Sequence, residues 1–205
     1  VIMNFEILHQ VKIIRGEIKD VNNLVLEKEC LQSYKNNKSI SLENKLDFIQ
    51  IFTSIIESNI NGNKEVIIGY KHDSAPDVAG HIVHYDHKGV KNWDYNIGKT
   101  VTFGNNIYRN QFAITDIKCR DLDGDNRVEI IVTGNHTCFP SRVIILNLDG
   151  ELVSEYWHSG IIRDINVAEL YDNNRNAELI LSGTNNEYNS GVLVVLDPFL
   201  MTGNS

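Results

Sequence analysis

From about residue 60 onward, short apolar runs alternate with breaks of glycine, asparagine and aspartate, the grammar of strands and turns. The runs also recur in a fixed order. "KEVIIGY" at 64–70, "VEIIVTG" at 128–134 and "AELILSG" at 177–183 each place a glutamate before an apolar strand that ends at a glycine. A polar loop and a second strand follow each of them, in "GHIVHYDHKG" at 80–89, "RVIILNLDG" at 142–150 and "GVLVVLDP" at 191–198. Third strands rich in aromatics come next, in "VKNWDYNIG" at 90–98 and "ELVSEYWHSG" at 151–160. "FAITDIKCRD" and "IIRDINVAEL" read as fourth strands. The runs are near-continuous rather than alternating, so each sheet is expected to be covered on both faces.

A four-stranded unit recurring every roughly 50 to 60 residues has the period of propeller blades. An antiparallel sandwich also gives short strands, but not the same strand order three times. The expected fold is mainly β, a partial β-propeller spanning residues 61–205 with about two and a half to three copies. Closed propellers need about four blades or more. The last copy stops after its second strand, and the chain opens on Val1 rather than methionine. It therefore reads as a piece of a longer protein, with further blades from that chain or from an oligomer as the alternatives.

Residues 1–60 carry a different pattern. Ser41 is placed to cap "LENKLDFIQIFTSIIES", with Glu43 in the first turn, where it favours the helix dipole. Leu42, Leu46, Ile49, Phe52 and Ile56 fall at helical spacing, and Phe48, Ile51 and Ile55 form a second stripe. The segment from Ile13 to Leu31 is weaker helical ground, because Gly16 and "VNN" at 21–23 interrupt it. A helical N-terminal segment is the expectation.

Bulk composition narrows the function. The 205 residues are 42% hydrophobic, enough for a substantial core, and carry a net charge of −8. An acidic chain without a basic cluster lacks the face that phosphate backbones require, which argues against nucleic acid. No run reaches the roughly 18 apolar residues of a membrane helix. Cys30, Cys119 and Cys138 are far apart and odd in number, so they read as ordinary thiols and not as a disulfide framework.

The most specific chemistry lies in "DLDGDNRVE" at 121–129, directly ahead of "IIVTG". Asp121, Asp123 and Asp125 alternate around a tight turn and repel one another unless a positive charge lies among them. Calcium takes six to eight oxygens, which alternating side chains on such a loop can supply. The other reading is a solvated acidic turn, since Asp-Gly is a common hairpin pair.

The stretch from about 60 to 205 resembles the FG-GAP/VCBS repeats of integrin-α-like β-propellers, in which a "DxDGDGxxD" loop precedes an apolar strand. "DLDGDNRVEIIVTG" is the strong copy here, with Asn126 where the family has its turn glycine, a position asparagine tolerates better than most residues, and Glu129 where the family has aspartate. The resemblance implies a structural calcium ion held by the side chains of Asp121, Asp123 and Asp125, the Arg127 carbonyl and the Glu129 carboxylate. The other copies are eroded. Aligned by residue count from Glu178, the third offers Asp172 and Asn174 with Leu170 opposite Asp121, and the first offers Asn61, Asn63 and Glu65.

Other constellations carry less. His81, His84 and His87 crowd one segment, but alternation on a strand turns His84 away from the other two. They read as surface or packing histidines. No GxSxG, HExxH, Walker or GxGxxG pattern occurs. Trp93, Tyr95, Tyr156 and Trp157 suit packing between units, with a carbohydrate-stacking platform as the alternative. The loops "KHDSAPDVAG", "NHTCFPS" and "SGTNNEYNSG" are equivalent by repeat, so they are expected on one side as the ligand face.

The expected function is a non-enzymatic binding or scaffold module that recognises a protein or carbohydrate ligand through these loops. Alternatives are a carbohydrate-active hydrolase or lyase on the same face, and a sensory domain of a larger regulatory protein. Weak calcium loops suit an extracellular setting, and unpaired thiols suit the cytoplasm. The balance falls slightly to the extracytoplasmic side.

Overall fold

The computed structural model describes residues 11–14, 17–20, 24–27, 30–33, 38–41, 48–57, 64–72, 79–87, 89–137, 139–170 and 177–202. Five short strands, β1 (Val11–Ile14), β2 (Glu17–Asp20), β3 (Leu24–Glu27), β4 (Cys30–Ser33) and β5 (Lys38–Ser41), pair in chain order as an antiparallel meander. Four further strands form the next sheet: β6 (Phe48–Glu57), β7 (Lys64–His72), β8 (His81–Tyr85) and β9 (Lys91–Asn96). A two-stranded hairpin follows, β10 (Val101–Phe103) and β11 (Asn106–Tyr108). The second four-stranded sheet is β12 (Phe112–Arg120), β13 (Glu129–His136), β14 (Ser141–Leu146) and β15 (Leu152–His158). The last has three strands: β16 (Gly160–Ala168), β17 (Glu178–Asn185) and β18 (Ser190–Leu196).

The helical N-terminal segment is corrected. Among the described residues there is no helix, and the core of the expected helix is β6, paired with β7 along its length. Five residues of β6 (Ile49, Ile51, Thr53, Ile55 and Ile56) are β-branched, which disfavours helix and suits a strand. Apolar residues fall at both odd and even positions of this segment, which suits a strand as well as a helix. The segment from Ile13 to Leu31 likewise falls on β1 to β4.

The repeat holds, with its phase moved by one strand. "FAITDIKCR" pairs with β13 and so opens the second of the repeated sheets (β12–β15) instead of closing the first (β6–β9), with β16–β18 as the third. β6 has the same position in the first sheet and β16 in the third. Irregularities recur with it. β12 and β16 are both bulged, between Ile114 and Asp116 and between Ile162 and Asp164. β8 and β14 both shift register against their next strand, between His84 and Tyr85 and between Ile145 and Leu146.

The second sheet is covered on both faces. Ile130, Val132, Ile144 and Leu146 join Ile67, Ile82 and Ile97 of the first sheet in one core cluster. Ile131, Val143 and Ile145 join Ile162, Ile165, Leu179 and Leu181 of the third sheet in another. Alternate residues of β13 and β14 therefore face opposite neighbours, and every residue of β14 is buried. A clamp ties the first pair of sheets. The buried Arg142 guanidinium donates to Ile97 O at 2.6 Å and to Glu155 Oε2 at 2.7 Å, and lies 5.4 Å from the Trp157 ring centroid. Burial pushes the Glu155 carboxyl up, but the hydrogen bonds and charges of Lys99 and Arg142 outweigh it and hold the carboxyl below its ordinary value. Cys119, on β12, is in no disulfide, and Cys138 lies outside the described residues.

Candidate metal centre

The loop between β12 and β13 reverses the chain over residues 121–128, with Gly124 at φ 74° and Asn126 at φ 68°. Asparagine thus takes the left-handed turn that its sequence position required. The loop folds around its own carboxylates. Asp121 accepts the Gly124 amide at 2.8 Å on Oδ1 and the Asn126 amide at 2.9 Å on Oδ2. Asp123 accepts the Asp125 amide at 3.0 Å, and Asp125 accepts the Arg127 amide at 2.6 Å.

Oxygens of Asp121, Asp123 and Glu129 all lie within 4.8 Å of one another. Asp125 stands outside that group, yet its charge acts on Glu129 together with those of Asp123 and Asp121. Burial, and then these three charges, push the Glu129 carboxyl above its ordinary value, against a hydrogen bond from the Leu122 amide that favours the ionised form. Glu129 is 7% exposed. The Arg127 side chain turns away to Asp149, at 3.2 Å on the surface. Its guanidinium is thus paired outside the acidic cluster, and its carbonyl is the part of Arg127 that remains a candidate ligand.

The donor set consists of oxygens, with no histidine or cysteine, and so fits a hard cation such as calcium rather than zinc or copper. Leu122 connects this loop to the fold. Its amide donates to Glu129 Oε2 at 2.8 Å, its carbonyl accepts from the Ala177 amide at 2.8 Å, and its side chain is buried between the second and third sheets. Fixing the loop therefore fixes that sheet–sheet contact.

The eroded copies align differently from a residue count. The Leu170 amide donates to Glu178 at 2.8 Å, the counterpart of Leu122 and Glu129. Arg120 pairs with Glu129 and Ala168 with Glu178, which makes Glu169 the counterpart of Asp121 and lengthens the third loop by one residue. In the first sheet Ile56 pairs with Glu65, so Glu57 holds that position. Most of the oxygen-bearing residues expected there, Asn61, Asn63, Asp172 and Asn174, lie outside the described residues. Glu65 itself is engaged elsewhere, at 2.8 Å from Nε2 of the buried His84.

The three histidines do not converge. His81 pairs with Asp94 at 2.8 Å and stacks on Tyr70, while His84 packs between Glu65 and Trp93. Of the three expected ligand loops, the first falls largely at 73–78, outside the described residues. The other two reach one cavity, through Phe139 and Glu187. Sequence reasoning missed the β10–β11 hairpin that completes this cavity. Its signal was present in "VTFGNNIY", a Gly-Asn break between apolar positions.

No known family model matches the chain, and no curated protein matches it. Among solved structures the chain is similar to the V. cholerae biofilm matrix protein Bap1, at 13% identity and a TM-score of 0.35, with 89% of this chain covered. The match spans 34% of that protein's chain.

Proposed function

We propose that residues 48–202 are blades of an FG-GAP/VCBS-like propeller and serve as a non-enzymatic binding or scaffold module, with a structural calcium ion in the loop at 121–129. The observation that carries the reading is the convergence of Asp121, Asp123 and Glu129 within 4.8 Å, on a loop whose Leu122 joins two sheets. Asp125 and the Arg127 carbonyl complete the oxygen set. The ion offsets carboxylate repulsion and so stabilises the contact between the second and third sheets.

Successive four-stranded units with repeated bulges and face-to-face packing support the blade reading. The ligand, a protein or a carbohydrate, is met by the loops at the other end of β13. Eight residues at about 3.3 Å each put that end roughly 25 Å from the metal loop. An extracytoplasmic setting suits a loop of modest calcium affinity.

Thermal melting with calcium and with chelator tests the metal. At about 100 times its dissociation constant calcium adds about 2.7 kcal/mol, or roughly 5–10 °C for a chain of this size. Asp123→Ala is expected to abolish that shift. A wild-type midpoint indifferent to calcium overturns the metal assignment.

A further inference from the structure

A cavity of about 250 Å³ lies at the end of the sheets away from the metal loop, and four aromatic side chains line it. They touch in series. Trp157 meets Phe103 at 5.8 Å between ring centroids, Phe103 meets Tyr108 at 6.0 Å, and Tyr108 meets Phe139 at 5.6 Å. These contacts are edge-on or tilted, with ring planes 50–62° apart, so the four rings make one stepped aromatic wall of the cavity. Behind it, Phe112 packs edge-on against Trp157 at 5.6 Å, and Arg142 lies over the Trp157 ring, so the wall is backed by core and not by water. The four rings come from three elements: the β10–β11 hairpin, the β13–β14 loop and the end of β15.

Pro140, His158, Ser159 and Glu187 complete the lining, and Glu187 sits on the exposed β17–β18 turn. That turn is braced: Asn185 Oδ1 accepts the Glu187 amide at 2.9 Å, and the Asn186 amide donates to Ser159 O at 2.8 Å. His158, also in the lining, holds Nε2 3.0 Å from Thr184 O. Among the described residues no lysine or arginine lines the cavity, and the one ordinarily charged side chain at neutral pH is the Glu187 carboxylate.

The geometry points to a binding site for a neutral pyranose at the end of a glycan, with the ring's C–H face against the aromatic wall and hydroxyls donating to Glu187. Each feature selects for this class. An aromatic wall rewards a flat apolar face, and a carboxylate takes up hydroxyl donors. The missing cations disfavour phosphate, sulfate and acidic sugars. The volume falls below the roughly 300–1,000 Å³ of drug-sized pockets, which leaves room for one ring-sized group. A quaternary ammonium also favours aromatic faces beside a carboxylate. It calls for rings around a common centre, whereas these rings contact one another along a wall.

This assignment rests on the binding-module reading and names its ligand class, independently of calcium. The full chain is applied to arrayed neutral glycans, and any hit is titrated calorimetrically with the free sugar, with sialylated and sulfated glycans and tetramethylammonium as the other arms. At least one neutral terminal pyranose is expected to bind. Phe139→Ala and Glu187→Gln, both at exposed positions, are expected to weaken it by about tenfold or more, with the melting midpoint unchanged. A blank neutral array, binding that survives both substitutions, or binding confined to the acidic glycans or to tetramethylammonium overturns the assignment. A blank array from a chain whose melting still responds to calcium leaves the metal reading standing. Sugar binding by a chain indifferent to calcium removes the metal reading alone.

Discussion

The Glu129 carboxylate accepts the Leu122 amide at 2.8 Å from within the acidic loop, although burial and three neighbouring aspartates work against its charge. Glutamine at 129 keeps an oxygen for that amide and removes the charge. Without calcium, Glu129→Gln is therefore expected to melt at the wild-type midpoint or a few degrees above it. With calcium it should show little of the wild-type gain. Differential scanning calorimetry with and without chelator measures both, and a calcium gain equal to wild type would exclude Glu129 from the ion's ligands.

The same carboxyl sets a pH dependence. Its folded value lies above the ordinary one, so the folded chain keeps a proton that the unfolded chain has released. Its contribution is thus present below the ordinary carboxylate value and is lost as pH rises through the raised one. Calcium favours the ionised form and reverses this. The calcium-induced rise in melting temperature is expected to be smaller near about pH 5 than near pH 7, and melts at several pH values with saturating calcium check it.

Glu178 closes the third loop as Glu129 closes the second, but outside the acidic cluster identified at Asp121, Asp123 and Glu129. Glu178→Ala leaves the Leu170 amide unmatched and should cost about 1–3 kcal/mol. Glu178→Gln should cost less. Neither should alter the calcium response, and a chemical denaturation series in both conditions separates the two effects.

Arg142 is 3% exposed and joins Ile97 O of the first sheet to Glu155 of the second. Arg142→Met removes one partner of a mostly buried pair, a change of about 3–5 kcal/mol when the remaining charge is isolated. Lys99 still reaches Glu155 at 2.6 Å, so the lower end of that range is expected. Replacing Glu155 with methionine as well should recover part of the loss. Because the Glu155 carboxyl is held below its ordinary value, the clamp's stability is present above that value and is lost as pH falls through the lowered one. Urea midpoints of the single and double variants at neutral and acid pH test this.

Gly150 turns the β14–β15 connection at φ 84°, with the Trp93 ring of the first sheet 2.6 Å from where a Cβ would stand. Trp93 also donates from Nε1 to Leu148 O at 2.9 Å. Gly150→Ala is expected to lose at least about 1–2 kcal/mol from the left-handed backbone alone and to shift tryptophan emission as Trp93 is displaced. Equal stability and an unchanged spectrum would show that the turn relaxes without moving the ring.

The sequence by itself determined the strands after residue 60, their repeated order and the acidic loop, because each is written locally. Glutamate, apolar run and glycine recur in the same order, with the glycine four or five residues after the glutamate, and Asp121, Asp123 and Glu129 lie close enough in the chain to meet through one turn. Only the tertiary structure decided how the strands group into sheets. Phe48–Glu57 fits a helix and a strand equally well by apolar count, and pairing with β7 chose between them. Once that strand is in place, each sheet opens one strand earlier than the repeat suggested, and the acidic loop becomes a hairpin inside a sheet. The aromatic cavity was out of reach for the same reason. Phe103, Phe139, Trp157 and Glu187 span more than eighty residues, and only the stacking of sheets brings such distant positions to one wall.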